Sequence, residues 1–247
     1  MSPTDPRWGQ EGRDRKAEAI LATLRLHCSQ DLREGIWLDI GCGSGGIAAT
    51  LAAHVERVVG VDPEPWERWQ SYRSQHLNLA FHVGSYRDLE TLLGADSCSV
   101  VICNQVYEHV DDPRVLLAAI HHVLKPDGVC YFAGPNLLWP IEPHVYWPFV
   151  HWLPRSFAHG WMRTFGSKRA HDLDAWSWSY WHLVQAFRNT GFQQSVAVRE
   201  RVRAHALQSG SLMARVLAGL PRVMFSVLAP CAPGFVFVLR KTNTVTS

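Results

Sequence analysis

The stretch WLDIGCGSGG, from Trp37 to Gly46, decides the fold of this chain. Its first half is apolar and predicts the end of a buried strand. Its second half holds four glycines, which form a tight turn with no Cβ atoms in the way of a ligand. The alanine-rich segment that follows, 47–53, predicts a helix whose first N–H groups point over the turn. The stretch therefore predicts a strand–turn–helix unit with a small-ligand site above the turn.

Two acids beside the turn narrow the choice of ligand. Gly41, Gly43 and Gly46 fit the dinucleotide pattern G-x-G-x-x-G, which by itself is weakly specific. Asp39 comes just before the first glycine, where it would repel a pyrophosphate and suits a positive amino or sulfonium group instead. Asp62 ends the next predicted strand, about 20 residues further on, where an acid can bind a ribose diol.

The loop with its two acids resembles the nucleotide site of class I S-adenosylmethionine (SAM) methyltransferases. SVVICNQVYEHVDDP, Ser99–Pro113, resembles the fourth strand of that family with the Glu-His-Val and Asp-Pro that follow it. HHVLKPDG, His121–Gly128, resembles the helix end and turn before strand five. Together these motifs cover residues 36–136. The resemblance implies one class I methyltransferase domain over 1–247. Its fold would be α/β and Rossmann-like: a seven-stranded, mostly parallel sheet with an antiparallel last strand, helices on both faces and a lid inserted after strand five.

The resemblance also implies SAM as the cofactor and a set of contacts to it. The implied cofactor-binding residues are Asp39, Gly41, Cys42, Gly43, Gly45, Asp62, Pro63, Ser85, Tyr86, Asn104, Gln105 and His109. The family commonly has an acid where this chain has Ser85, whose hydroxyl can still accept a hydrogen bond. Glu108 and His109 could form an acid–base pair. The same Glu-His occurs in methyltransferases of many substrate classes, so we interpret it as structural.

Apolar periodicity and turn residues predict the remaining elements. Helices are predicted over 12–28, 63–76 and 174–189 and from Pro113 onward, and strands over 58–61, 77–83, 100–103, 129–133, 192–198 and 235–239. Residues 207–229 form an apolar segment with interspersed arginines, broken at Pro221, which predicts a lid helix pair or a membrane-surface segment. We favour the lid and assign 200–232 to a second acceptor-binding insertion.

The segment 135–182 interrupts the core pattern and contains seven of the eleven tryptophans and five histidines. Long irregular segments in compact domains are usually lids or binding loops, and otherwise form a satellite hydrophobic cluster. Aromatic faces beside polar tips suit a sugar ring or a flat aromatic acceptor. Pro135–Pro154 also resembles a subgroup of bacterial methyltransferases associated with cell-surface saccharide synthesis.

The net charge of +2 is unevenly distributed along the chain. Residues 1–154 hold 12 Lys/Arg and 19 Asp/Glu, whereas residues 155–247 hold 12 Lys/Arg and 3 Asp/Glu. The basic part indicates solvated surface, or else an anionic acceptor or an acidic membrane surface. No Lys/Arg run or aromatic–basic motif indicates nucleic acid.

The chain shows no signal peptide and no clear transmembrane stretch, and the spacing of its six cysteines indicates thiols rather than metal pairs. We therefore expect a metal-free cytoplasmic protein, with peripheral contact to the inner face of the membrane as an option. Nothing in the sequence indicates an oligomeric state.

The expected reaction is SAM-dependent O-methylation of a small-molecule, saccharide or lipid-linked acceptor. The expected base is His144, oriented by Glu142, since both follow strand five in the proline-stiffened run WPIEPH. Alternatively, the two residues only fix the lid in place. Two other functions stay open: a nicotinamide-dependent oxidoreductase and a non-catalytic SAM-binding assembly partner.

Overall fold

The computed structural model describes residues 10–142, 145–167, 173 and 175–242. The strands in these ranges are β1 (Ile36–Ile40), β2 (Arg57–Asp62), β3 (Leu79–Val83), β4 (Cys98–Asn104), β5 (Leu124–Pro135), β6 (Ile141–Glu142), β7 (Trp147–Pro148), β8 (Phe192–Val196) and β9 (Gly234–Lys241). The α-helices are α1 (Gln10–His27), α2 (Gly46–Ala52), α3 (Arg68–Gln75), α4 (Leu89–Leu93), α5 (Pro113–Val123), α6 (Arg155–Thr164), α7 (Tyr180–Asn189), α8 (Val198–Ser209), α9 (Leu212–Ala218) and α10 (Arg222–Leu228).

Seven strands form one sheet in the order β3-β2-β1-β4-β5-β9-β8. Strands β1 to β5 pair in parallel, whereas β9 is antiparallel to both of its neighbours, β5 and β8. The predicted mostly parallel sheet with an antiparallel last strand is confirmed. The strand order reverses at β1, so a crevice opens between β1 and β4 at the carboxyl ends of the strands, where open α/β sheets bind ligands.

Helices cover both faces of the sheet, as predicted. On one face α1, α2 and Trp69 of α3 bury an apolar cluster that includes Trp37 of β1. On the other face α4, α5 and α7 pack against a cluster that includes Phe132 of β5. The inner strands β1 and β4 are thus buried on both sides, which fixes the positions of the turns at the carboxyl edge of the sheet.

The helix predicted from Pro63 begins only at Arg68. The carboxylate of Asp62 explains the delay, because its Oδ1 accepts hydrogen bonds from the backbone N–H of Glu64 (3.1 Å) and from Trp66 Nε1 (3.2 Å). These bonds hold 63–67 as a turn that faces the glycine loop.

The helix predicted from Asp174 begins at Tyr180, and Asp174 itself lies outside the described residues. Ser179 caps the helix, and the segment before it is extended because Trp176 N–H donates to the Glu108 carbonyl (2.8 Å). Strand β8 ends at Val196, two residues earlier than predicted, because α8 begins at Val198.

The predicted break at Pro221 is present. Pro221 precedes α10, and the apolar segment forms the separate helices α9 and α10 after the longer α8. This insertion leaves the sheet after β8 and returns at β9. Because β8 runs parallel to β5, both insertions start at the carboxyl edge of the sheet.

Candidate functional site

A cleft of about 420 Å³ opens at the carboxyl ends of β1, β2, β3 and β4. It is lined by Ile40, Gly41, Val61, Asp62, Pro63, Gly84, Ser85, Tyr86, Arg87, Gln105, Val106, His109, Val110 and Asp111. Its volume is typical of a small-molecule site. A wider polar groove of about 990 Å³ lies at the opposite edge of the sheet, beside Asp127 and Phe192. That groove includes no residue of the glycine turn, so we take the smaller cleft as the candidate site.

The glycine turn is held in place by side chains from β2 and α3. Gly43 N–H donates to Asp62 Oδ2 (2.7 Å), and Trp69 Nε1 donates to the Gly43 carbonyl (2.8 Å). Gly45 has a φ of 83° and precedes α2, and a Cβ atom there would lie 2.5 Å from the ring of Phe81. A Cβ at Gly43 would meet no atom within 4 Å, so the space above the turn is open.

Asp39 is a buried carboxyl at the end of β1. Burial raises its pKa to about 7, the nearby charge of Asp62 adds to the shift, and Arg13 opposes it. Its Oδ2 atom has no hydrogen-bond partner among the described residues. When a carboxyl is buried and its pKa is raised, a cation that enters the site stabilises its ionised form.

Arg13 of α1 is a neighbour of this site that could not be selected from local sequence features. Its side chain would lie 2.6 Å from a Cβ atom at Gly46, so it covers the first turn of α2. The next residue, Asp14, accepts a hydrogen bond from Thr50 Oγ1 of α2 (2.6 Å). Helix α1 is therefore fixed over the glycine turn.

Seven of the predicted cofactor-binding residues line the cleft: Gly41, Asp62, Pro63, Ser85, Tyr86, Gln105 and His109. The other five, Asp39, Cys42, Gly43, Gly45 and Asn104, are not part of its lining. Cys42 is an example of a predicted residue outside the lining: its thiol packs against Gly60, and burial raises the pKa of the thiol. Arg87, Val110 and Asp111 were missed: Arg87 looks like an ordinary surface residue, and Val110 and Asp111 belong to the run after strand four whose resemblance to the family indicated the fold and no contact for these two residues.

Ser85, which replaces the family's usual acid, is bonded within its own turn. Its hydroxyl donates to Asp88 Oδ2 (3.0 Å) and accepts from Arg87 N–H (3.1 Å). Asp88 also accepts from Ser85 N–H (2.7 Å), and these bonds hold the pKa of Asp88 below its usual range. The Ser85 side chain therefore shapes the wall of the cleft through this turn.

The loop after β4 attaches the first insertion to the sheet. The Tyr107 hydroxyl donates to the Pro135 carbonyl and accepts from Trp178 N–H (3.2 Å). The neighbouring Glu108 has a buried side chain that packs near Gly134, and its carbonyl accepts the hydrogen bond from Trp176. This placement agrees with the structural interpretation of the Glu-His pair.

Of the two predicted catalytic residues, the structure describes Glu142 but not His144, which lies outside the described residues. Glu142 is fully buried in the β6–β7 hairpin, where Oε2 accepts Val145 N–H (2.7 Å) and its carbonyl accepts Tyr146 N–H (2.8 Å). His151 is buried nearby and bonds to the Trp139 carbonyl through Nε2 (2.7 Å). Burial lowers the pKa of His151, while this bond and the charge of Glu142 oppose the shift.

Comparisons with known proteins agree with this geometry. A family model described as "Methyltransferase domain" matches residues 10–195. The chain belongs to the methyltransferase domain family. SAM is accordingly its cofactor, which removes the nicotinamide alternative.

Curated relatives of this methyltransferase domain include proteins named ubiquinone biosynthesis O-methyltransferase. The one from Actinobacillus pleuropneumoniae is 30% identical over 127 residues, covering 47% of this chain and 54% of that protein. The one from Neisseria meningitidis is 32% identical over 114 residues, covering 43% and 46%. The chain spans about half the length of the curated relatives it matches.

Solved methyltransferase structures share the fold at low sequence identity. The 1,6-didemethyltoxoflavin-N1-methyltransferase of Burkholderia thailandensis, with S-adenosylhomocysteine bound, has a TM-score of 0.56 and 17% identity, covering 96% of this chain and 82% of that one. The plantazolicin methyltransferase, also solved with S-adenosylhomocysteine, has a TM-score of 0.59 and 14% identity, covering 94% and 85%.

The residues of the cleft fit SAM. Beside the cleft, Oδ2 of buried Asp39 has no hydrogen-bond partner within the described part of the chain and suits the positive charge of the SAM amino or sulfonium group; Asp62 lines the cleft at the end of β2, a position where an acid can bind ribose hydroxyls. The open space above Gly43 lets a ligand approach the backbone closely. SAM supplies an activated methyl group, and the chain's task is to hold and orient it.

Proposed function

We propose that this methyltransferase domain transfers the methyl group of SAM to an oxygen atom of a small-molecule acceptor. The observation that carries the proposal is the cleft at the carboxyl ends of β1–β4, with buried Asp39 beside it and an aromatic insertion at the same edge. The oxygen acceptor is supported by the names of the curated relatives.

The chain's own residues would act mainly by binding and alignment. Asp62 holds the glycine turn through Gly43 N–H and would hold the ribose, while Asp39 would offset the positive charge. Fixing two reactants at reacting distance removes a large part of the entropic barrier, so methyl transfer needs little further chemistry from the protein.

The acceptor class we favour is an anionic saccharide or a lipid-linked molecule. Helix α6 in the first insertion exposes Phe157 and Trp161, which are spaced four residues apart and so lie on one helix face, and the C-cap residue Phe165 is exposed directly after them. Aromatic faces of this kind bind sugar rings and flat apolar groups. The basic composition of 155–247 suits an anionic group on the acceptor. In this proposal 135–182 and 200–232 act as lid and acceptor-binding insertions of the single domain 1–247.

We also propose a cytoplasmic location with peripheral contact to an acidic membrane face; the charge asymmetry supports the membrane contact. Exposed charges are screened beyond about 10 Å at 0.1 M salt, so binding of an anionic acceptor should weaken as the salt concentration rises. A neutral analogue of the acceptor provides the control, since salt should leave its KM unchanged.

The identity of the acceptor atom can be read directly. A bacterial metabolite extract is incubated with the protein and methyl-labelled SAM, and labelled products are fragmented in a mass spectrometer. We expect label on an oxygen atom. Label on nitrogen or carbon contradicts the proposed acceptor. SAM binding without any labelled product would favour the non-catalytic assembly partner instead.

We keep His144 as the proposed base for an alcohol acceptor, with Glu142 as its positioning residue. A neutral histidine suits this task because its unperturbed pKa is about 6.5. The burial of Glu142 and its bond to Val145 N–H also support the alternative, in which the pair only holds the hairpin in place.

Measurements of kcat and acceptor KM distinguish the two roles of His144, base or lid contact. As a base variant, His144→Ala should keep its SAM affinity, lose roughly 10²–10⁴ in kcat and recover partly at high pH. His159→Ala, in the same insertion, is the matched control and should keep kcat. A rise in acceptor KM with kcat within threefold of wild type would instead assign His144 to the lid.

A further inference from the structure

Helices α9 and α10 expose an apolar surface that the fold does not use. Helix α10 has no buried residue, although its sequence, RVMFSVL, is largely apolar. The side chains that are more than half exposed on the two helices are Leu212, Met213, Val216, Val223, Val227 and Leu228. Clusters of exposed apolar residues of this kind mark interaction surfaces. We name this set the α9–α10 surface.

The charge around this surface is almost entirely positive. Residues 198–232 contain five arginines and one carboxylate, Glu200. That carboxylate is buried and pairs with Arg222, at 2.7 Å from Nη2 and 2.9 Å from Nε. The outward charges of the insertion are therefore cationic, and they include the exposed Arg203 and Arg215.

The surface is held rigidly relative to the SAM cleft. Arg199 Nε donates to the Leu220 carbonyl in the turn between α9 and α10 (2.9 Å), and the Glu200–Arg222 pair joins α8 to α10. Helix α8 packs in turn against α1, which covers the glycine turn. The insertion that carries the surface leaves the sheet at the same carboxyl edge that holds the cleft.

The helices have the dimensions of an interfacial anchor. No single helix in the described ranges is long and apolar enough to cross a membrane. Within the described part of the chain, one helix pair, Leu212–Ala218 with Arg222–Cys231, reaches the required length and hydropathy, and it is bent by 96° at its break. Apolar helices flanked by arginines lie in the head-group region with their apolar side chains inserted.

We propose that the α9–α10 surface docks on an anionic lipid bilayer, inserts its apolar side chains into the interface and places its arginines among the head groups. This inference rests on the proposed function, because it presents the carboxyl edge of the sheet to a lipid-linked acceptor. A symmetric second copy fits less well, because it would bring two arginine-rich faces together.

The test is co-sedimentation with vesicles of phosphatidylcholine alone or mixed equally with phosphatidylglycerol. We expect binding to the mixed vesicles that decreases between about 0.1 M and about 1 M salt. The double variant Val223→Asp/Val227→Asp should bind at least tenfold more weakly, because two carboxylates would enter the interface. Arg215→Ser should lose about fivefold, the effect of one basic residue at an anionic surface.

Matched controls carry the same changes elsewhere. Leu77→Asp alters an apolar residue outside the insertion that is even more exposed than Val223 and Val227, and Arg57→Ser removes an exposed arginine from the start of β2; both variants should bind vesicles as wild type does. Three results would overturn the proposal: no vesicle binding by wild type, unchanged binding by both α9–α10 variants, or a lipid-free dimer that the double aspartate variant dissociates. SAM affinity measured on every variant separates the two proposals. If wild type binds SAM but no vesicles, only the proposed docking of the α9–α10 surface is refuted. If wild type binds vesicles but no SAM, the proposed function is refuted.

Discussion

At the scale of single residues, Asp39 has an environment that differs strongly from that of an ordinary, exposed carboxyl. Its pKa is raised to about 7 in the free protein, chiefly by burial, and SAM would bring a positive charge that favours the ionised form. SAM affinity should therefore weaken by up to roughly tenfold as the pH falls from 7.5 to 6, because Asp39 must lose its proton to bind. Calorimetry over this pH range measures the effect.

The variant Asp39→Asn removes the titrating group while keeping the side chain's size. Its SAM affinity should be lower than that of wild type at pH 7.5 and nearly constant over the range. An equally steep pH dependence in Asp39→Asn would show that another group titrates.

At the residue scale, some residues around the glycine turn could be predicted from the sequence and others could not. Asp62 could be predicted because it ends a strand next to a glycine turn, and both features are local in sequence. Arg13 and Trp69 could not, because they reach the turn from α1 and α3 only after those helices pack on the sheet.

At the scale of elements, the glycine turn and α2 act as one unit. Gly45→Ala would place a non-glycine residue at a φ of 83° and a methyl group 2.5 Å from Phe81. We expect Gly45→Ala to lower the free energy of unfolding by about 2–4 kcal/mol, because the backbone is strained at this positive φ. We also expect weaker SAM binding, because the methyl group displaces the turn.

Gly210→Ala provides the matched control. Gly210 also has a positive φ, of 66°, but a Cβ there meets no atom within 4 Å. It should cost only about 1–2 kcal/mol and leave SAM affinity unchanged. Equal effects of the two substitutions on SAM affinity would contradict a specific role for the turn.

A second element-scale prediction concerns Asn136, which joins the two insertions. Its side-chain amide donates to the carbonyls of Pro230 and Ala232, both at 2.8 Å, and the residue is fully buried. Asn136→Ala should cost about 1–3 kcal/mol of stability, raise acceptor KM and make 135–182 more sensitive to limited proteolysis.

Asn78→Ala is the control, since it also removes two donated bonds, to the carbonyls of Ala52 and Val55 at 2.8 and 2.9 Å; Asn136 Oδ1 in addition accepts a bond from Leu138 N–H (3.0 Å). Asn78→Ala should lose similar stability without changing acceptor KM. A change in KM in both variants, or in neither, would refute the coupling between the insertions.

At the scale of the whole molecule, the sequence was sufficient to predict the sheet but not to predict which residues of the insertions are buried. Apolar runs and the glycine turn predict the individual strands, and the resemblance to class I methyltransferases implies the seven-stranded sheet that the structure shows. The insertion helices were harder because their apolar pattern fits a lid or a membrane-surface segment equally well, and in the structure α10 has no buried residue. Hydrophobic pattern alone does not distinguish burial in protein from exposure at an interface.

The central claim is that the cleft of this methyltransferase domain binds SAM through Asp62. The most direct test is calorimetric titration of SAM into wild type and Asp62→Ala, with Asp96→Ala as a control carboxylate at the opposite edge of the sheet. Loss of a charged hydrogen bond costs about 1.5–3 kcal/mol, and the turn also loses its bond from Gly43 N–H. We predict one SAM site in wild type, at least tenfold weaker binding in Asp62→Ala and wild-type affinity in Asp96→Ala. No SAM binding to folded wild type, or equal affinity in wild type and Asp62→Ala, would contradict the account.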